Sequence, residues 1–132
     1  MTKILIIDDD PDFVNATSMV LEKEGFDVSS APGGKAGFQK AQDQQPDLII
    51  LDVMMDSVLD GVSTCRKMHG NPDTTDIPIL MVTSIANTDY AALFPTDEYI
   101  HLDAFLSKPV DPEKLIKKIR RILPKAKVAA EN

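Results

Sequence analysis

Short apolar runs without polar interruption alternate along this chain with longer stretches in which apolar residues recur at three- and four-residue spacings. A strand covered on both faces needs apolar side chains on both sides of its pleat, so uninterrupted runs predict a parallel sheet with helices above and below. Ile4–Ile7, Leu48–Leu51 and Ile79–Val82 are runs of this kind. Phe26–Ser30 and Ala104–Ser107 are weaker candidates, with one of them expected near a sheet edge. The result is a five-stranded α/β domain.

Helix signals fall between these runs. Asp10 is placed to cap a first helix, with Pro11 at its first position, Phe13, Thr17, Val20 and Glu24 on successive turns, and Gly25 as a left-handed stop. A second helix carries Gly34, Gly37, Phe38 and Ala41 as its apolar stripe, although two glycines weaken its intrinsic propensity. Val62, Cys65 and Met68 suggest a third helix starting near Gly61. Asp111 and Pro112 open the last one, Leu115, Ile116, Ile119, Ile122 and Leu123 face inward, and Pro124 is expected to end it. Residues 86–102 fit no regular element, because Pro95 interrupts the short helical pattern from Tyr90 to Phe94. One domain over residues 1–124 is predicted, followed by a frayed tail at 125–132.

Composition narrows the function. A net charge of −7 and pI near 4.7 argue against nucleic-acid binding, which needs phosphates neutralised by a clustered basic surface, so no direct nucleic-acid binding by this domain is expected. Its single cysteine, Cys65, cannot form an intrachain disulfide and reads as a small core residue. Met1-Thr2-Lys3 and only four apolar residues before Asp8 predict neither a signal peptide nor membrane insertion. A reducing cytoplasm is the expected setting.

In an open parallel sheet, residues just beyond the carboxyl ends of strands share a crevice. Four apolar runs end in polar residues: Asp8-Asp9 after the first, Asp52 after the third, Thr83-Ser84 after the fourth and Lys108-Pro109 after the fifth. Three carboxylates would thus converge near one hydroxyl and one ammonium. Such a group repels itself unless a cation joins it, and oxygen donors without nearby cysteine or histidine favour Mg²⁺, or Mn²⁺, over zinc. The bland alternative makes Asp8, Asp9 and Asp10 solvated loop acids and a helix cap.

The segments ILIIDDDPDF, PDLIILDVMM, IPILMVTS and DAFLSKPVD, in this order, resemble the signature regions of response-regulator receiver domains of two-component signalling, the CheY-like superfamily. The resemblance covers nearly the whole chain. It implies a flavodoxin-like sheet of order 2-1-3-4-5, helices on both faces and an irregular fourth helix. It further implies that Asp52 is the phosphoacceptor; that Asp9 and Asp52 bind Mg²⁺ directly, Asp8 through water, and Met54 through its backbone carbonyl; that Lys108 pairs with the carboxylate and later the phosphoryl oxygens; that Thr83 hydrogen-bonds the phosphoryl group; and that Phe105 is the aromatic switch residue. The family has a cis bond before the proline at the position of Pro109. A sensor histidine kinase or a histidine phosphotransfer protein is the implied donor, with an output partner of unknown identity and a phosphorylation-dependent homodimer as a further expectation. The domain would be no enzyme in the usual sense, since it catalyses only its own phosphorylation and slow dephosphorylation.

Three features depart from the pattern. Asp56 stands where the family usually has proline, and Val58-Leu59 contains one extra residue before Asp60-Gly61. Met54 and Ile85 occupy positions from which family members often orient the attacking water, and neither side chain can do so; slow phosphoryl loss is expected. The outer side of the last helix is basic, with Lys114, Lys117, Lys118, Arg120, Arg121 and Lys125, a face that could be merely solvated or could dock an acidic partner or a second copy. His69 and His101 receive no role. Two rival functions are a small phosphohydrolase of the haloacid dehalogenase type, with Asp8 to Asp10 as its aspartate motif, and a receiver-like interaction module that no longer accepts phosphate. The first leaves Asp52 unexplained and needs a late acidic pair where Asp103 stands alone; the second conflicts with the retained acids, acceptor and lysine.

Overall fold

The computed structural model describes residues 2–52, 64, 66–83, 104–107 and 110–131. In chain order these form β1 (Lys3–Ile7), α1 (Pro11–Lys23), β2 (Asp27–Ala31), α2 (Gly34–Gln44), β3 (Leu48–Asp52), β4 (Ile79–Thr83), β5 (Ala104–Ser107) and α4 (Pro112–Glu131), with helical backbone at 64 and 66–69 marking a helix α3 before β4. All strand pairings are parallel, in the order β2-β1-β3-β4-β5. Both weaker strand candidates therefore lie at edges. The start expected for α3 near Gly61, with Val62 and Cys65, and the irregular stretch 86–102 fall outside the described residues.

Side-chain alternation along the strands assigns the two faces. Leu5, Ile7, Ile49, Leu51, Ile79 and Met81 point to one side, where Ala41 and Phe38 of α2 and Met68 of α3 cover them. Ile4, Ile6, Leu48, Ile50, Leu80 and Val82 point to the other, beneath Leu21 of α1 and Leu115, Ile119 and Leu123 of α4. Burying each such side chain fully contributes about 1.5–3 kcal/mol before the entropy of ordering it is counted. The central strands owe their unbroken apolar runs to this double coverage.

Helix α1 starts and stops by the expected chemistry. Asp10 has extended backbone and its carboxylate accepts the Asp12 N–H at 3.0 Å, with Pro11 at the first helical position. At the other end Gly25 adopts φ +94°, and the N–H groups of Gly25 and Phe26 return to the carbonyls of Glu22 and Leu21. Phe26, read from the sequence as the start of a strand, instead closes this turn and packs onto the α1/α4 side of the core; β2 begins at Asp27. Asp111 opens α4, its carboxylate accepting the Glu113 N–H at 3.4 Å and its carbonyl accepting from Leu115.

Helix α4 runs through Pro124 to Glu131, past the stop expected at that proline. Proline fixes φ near the helical value and removes only one donor, while Lys125–Glu131 consists almost wholly of strong helix formers.

The two glycines of α2 prove to be packing devices. A Cβ on Gly37 would overlap Ile7 Cδ1, and one on Gly34 would overlap Thr64 Oγ1, so their absence lets α2 settle onto β1 and against α3. Gly→Ala in an exposed helix interior stabilises by about 1 kcal/mol, but overpacking a core costs about 1–3 kcal/mol. Gly37→Ala is therefore expected to lower the urea midpoint. Adding Ile7→Val, which removes Cδ1, should recover part of the loss and give a favourable coupling in a double-mutant cycle.

Candidate metal centre

Strand register brings the acids together. Ile7 pairs with Leu51, so the next residue on each strand, Asp8 and Asp52, lies at the same level at the carboxyl ends of adjacent strands. Asp52 still belongs to β3, where it pairs with Val82; the Asp8 N–H donates to Ala31 O at 3.1 Å and so extends β1 by one more bond. Both carboxylates are 3% exposed. Asp9 is exposed and completes the group: Asp8, Asp9 and Asp52 each offer an oxygen within 4.8 Å of the others.

The third acid of the run does different work. Asp8 Oδ1 accepts the Asp10 N–H at 2.8 Å, a tight local turn that leads the chain out of the sheet, and Asp10 then spends its carboxylate on the helix cap. The bland alternative thus describes Asp10 correctly and does not describe Asp8, which is buried; Asp9 is exposed. The partial positive charge at the amino end of α1 lies beside the turn and offsets some of the acidity.

Three carboxylates at this separation repel by a few kcal/mol per pair at the effective dielectric of a protein surface, before partners and screening reduce it. Their donor set is oxygen only and two of the three groups are buried, which suits a hard divalent cation that keeps part of its water shell. The residues fit the Mg²⁺ expected from the sequence, and receiver domains bind Mg²⁺ at an acidic pocket of this kind.

The other predicted residues are placed as follows. Thr83 is the last residue of β4, pairing with Ser107, and Phe105 pairs with Met81 in β5. The carboxyl end of β5 therefore lies two strands from Asp52 on the same edge of the sheet. Lys108, Pro109, Met54, Asp56, Ile85 and His101 lie outside the described residues, and His69 is exposed on α3. Sequence reasoning missed one supporting residue, Thr64, buried against Gly34. The signal was the pair of glycines one turn apart in α2, which read as weakness instead of close approach.

Residues 4–120 match the family described as the response regulator receiver domain. Among curated relatives, the DNA-binding dual master transcriptional regulator RpaA of Synechocystis is 39% identical over 124 residues, 93% of this chain and 49% of that protein. The alkaline phosphatase synthesis transcriptional regulatory protein PhoP of Bacillus subtilis is 31% identical over 128 residues, 97% of this chain and 51% of that protein. This chain spans about half the length of these relatives. Among solved structures, a CheY-like response regulator receiver domain protein from Methanospirillum hungatei superposes with TM-score 0.84 at 27% identity, covering 98% of both chains. The chemotaxis protein CheY4 of Vibrio cholerae gives 0.82 at 29% identity, covering 93% of this chain and 99% of its own. With a flavodoxin-like parallel sheet, an acidic cluster at its carboxyl edge and a family match over residues 4–120, the chain belongs to the receiver domains of two-component response regulators.

Proposed function

We propose that this domain is a phosphoryl-accepting switch in which Asp52 takes the phosphoryl group from a partner phosphohistidine. The carrying observation is the convergence of Asp8, Asp9 and Asp52 within 4.8 Å at the carboxyl ends of β1 and β3, where the strand order reverses direction and open α/β sheets place their sites. An Asp52 carboxylate oxygen attacks phosphorus, a P–O bond forms as the P–N bond to the donor imidazole breaks, and the freed imidazole takes its proton from solvent. A carboxylate nucleophile carries no proton to remove, so no general base is called for. Asp9, Asp52 and the Met54 carbonyl would hold Mg²⁺ directly and Asp8 through water, with Mn²⁺ as a substitute. When bound, the ion offsets charge on the phosphoryl oxygens in a loose transition state. Lys108 supplies a second positive charge, Thr83 a hydroxyl for the phosphoryl oxygens, and Phe105 the rotamer change that reports their arrival; Pro109 shapes the loop carrying Lys108.

The donor is a sensor histidine kinase or a histidine phosphotransfer protein. Output follows from a shift between two populations, read by a partner or by a phosphorylation-dependent homodimer. Any nucleic-acid contact belongs to a domain beyond these 132 residues, because the net charge is −7. Among the described residues no helix is long and apolar enough to cross a membrane, and the proposed setting is the cytoplasm.

Acetyl phosphate in the presence of Mg²⁺ should label the protein once per chain without continued turnover, and chelation or Asp52→Asn should abolish the label. Label persisting in Asp52→Asn would refute the acceptor assignment, and steady hydrolysis of p-nitrophenyl phosphate would favour a phosphohydrolase.

Asp9→Asn separates the charge argument from the chemistry. Asp9 is exposed and its loss relieves repulsion on two buried neighbours, so cation-free stability should rise by up to about 1 kcal/mol, less at high salt. The same variant should lose most of the increase in melting temperature that Mg²⁺ gives the parent. Denaturation with and without Mg²⁺ reads both effects.

The lifetime of the acyl phosphate tests the flanking positions. With Met54 and Ile85 unable to orient water, loss of label from the isolated domain should take longer than minutes, and a hydrogen-bonding residue such as Met54→Asn should shorten it. Loss within seconds, unchanged by substitution at either position, would sink this expectation.

A further inference from the structure

Among the described strands β2 ends the sheet, paired with β1 alone, so one side of its backbone faces outward. Two bonds fix which residues face that way. The Asp27 N–H donates to Thr2 O at 2.8 Å, and Ala31 O accepts from the Asp8 N–H at 3.1 Å. In a parallel pair, alternate residues turn both backbone groups to the neighbouring strand. Asp27, Ser29 and Ala31 therefore serve β1, while Val28 and Ser30 present their N–H and C=O groups at the open edge. Such a row is a template for another strand.

One of those outward groups is already taken. Lys40, in the second half of α2, donates from its ammonium to Ser30 O in a half-buried contact. One turn later α2 is fastened to the same strand again, where Ser29 Oγ donates to Gln44 Oε1 at 2.8 Å. The Lys40 bond is charge-assisted and sits where the N–H of an incoming strand would have to dock. Lys40 thus obstructs the edge in two ways, by occupying an acceptor and by placing a cation beside it. None of these residues belongs to the acidic cluster, or to the apolar depression of about 530 Å³ that Val20, Pro112 and Ile116 line between α1 and α4.

We propose that the β2 edge is a surface for pairing with the same edge of a second copy of the chain, and that Lys40 holds it closed. Register selects this occupant. With the two strands antiparallel about a two-fold axis at Ser29, Val28 of each copy meets Ser30 of the other, and every outward N–H and C=O of both residues gains a partner. At the axis Ser29 meets Ser29 as a pair without backbone bonds, where Cα atoms approach to about 4.5 Å and a small side chain suits the approach. The same symmetry brings a second Lys40 to the interface, so the obstruction acts from both sides. The dimer closes at two, because the opposite edge of the sheet is β5, a different strand. Loss of the Lys40 charge and donor frees Ser30 O and opens the edge. Pairing here uses none of the phosphoryl chemistry, and its test needs neither Mg²⁺ nor a phosphodonor.

Sedimentation equilibrium of the full chain carrying Lys40→Met, which keeps an unbranched apolar stem and removes donor and charge, is the test. This variant should form a discrete dimer at least about tenfold more tightly than the parent associates. Lys40→Arg, which keeps donor and charge, should behave as the parent, and association through any other face would be common to all three proteins. In Lys40→Met, amide exchange at Val28 and Ser30 should slow as concentration rises, while Ser29 and Ala31, already bonded to β1, stay as they were. Adding Ser30→Pro removes an outward N–H, a change that edge strands tolerate, and should return Lys40→Met to parent behaviour. The exchange measurement decides the matter even where the proline variant does not fold. A Lys40→Met indistinguishable from the parent, a Lys40→Arg that dimerises equally, open-ended aggregates in place of a dimer, a dimer undiminished in folded Lys40→Met/Ser30→Pro, or a dimer without slowed exchange at Val28 and Ser30 would overturn the proposal.

Discussion

Two carboxylates are held at the ends of neighbouring buried strands, and much of the surrounding structure answers to that constraint. Asp8 and Asp52 are level because Ile7 and Leu51 pair in the parallel register of β1 and β3, with the side chains of each strand divided between the two covered faces of the sheet. A slip of one residue would turn Ile4 and Ile6 to the opposite face, exchanging the sides on which both helical layers pack. The core thus specifies the charge cluster as rigidly as it specifies itself. An acidic site built on loops would relax away from its own repulsion; one built on strand ends cannot.

The packing around β1 shows how that rigidity is kept. On one side α2 approaches closely enough that Ile7 leaves no room for a Cβ at Gly37, and on the other Leu21 of α1 covers Ile4 and Ile6. Between β1 and α1 the chain must turn out of the sheet within three residues. It does so with the Asp8 carboxylate accepting from Asp10 and the Asp10 carboxylate accepting from Asp12. Acids at successive positions are therefore doing two kinds of work, charge at the site and hydrogen bonding in the turn, and the amino end of a helix is where both are least costly.

Most of this was legible from residue order. The three central strands announced themselves because double coverage demands uninterrupted apolar runs, and the boundaries of α1 followed from Asp10, Pro11 and Gly25. The acids of the site were found because they terminate those runs. The misreadings share a physical cause, in that the deciding neighbour was remote in sequence or the local signals conflicted. Phe26 is apolar and precedes a strand, yet it belongs to the closing turn of α1, where Gly25 permits the left-handed backbone. Gly34 and Gly37 lower helix propensity, and only the positions of Thr64 and Ile7 reveal what they gain. At Pro124 a strong local breaker met a run of strong helix formers, and the helix continued. Residues 53–63, which follow Asp52 and include Asp56 and Val58-Leu59, combine too few periodic apolar positions for their course to be read from order alone.

Helix α1 links the two ends of the argument. Its cap residue is part of the turn that positions Asp8 and Asp9, and its last turns line the depression shared with α4. From Asp10 to Val20 is roughly 15 Å along the axis, at about 1.5 Å per residue, with an unbroken helical backbone between. Thr17, at the middle of the helix, and Leu21, in its last turn, are buried and hold it against the sheet. The acidic cluster at the strand ends and the groove between α1 and α4 are therefore joined by one continuous helix, although they share no side chain.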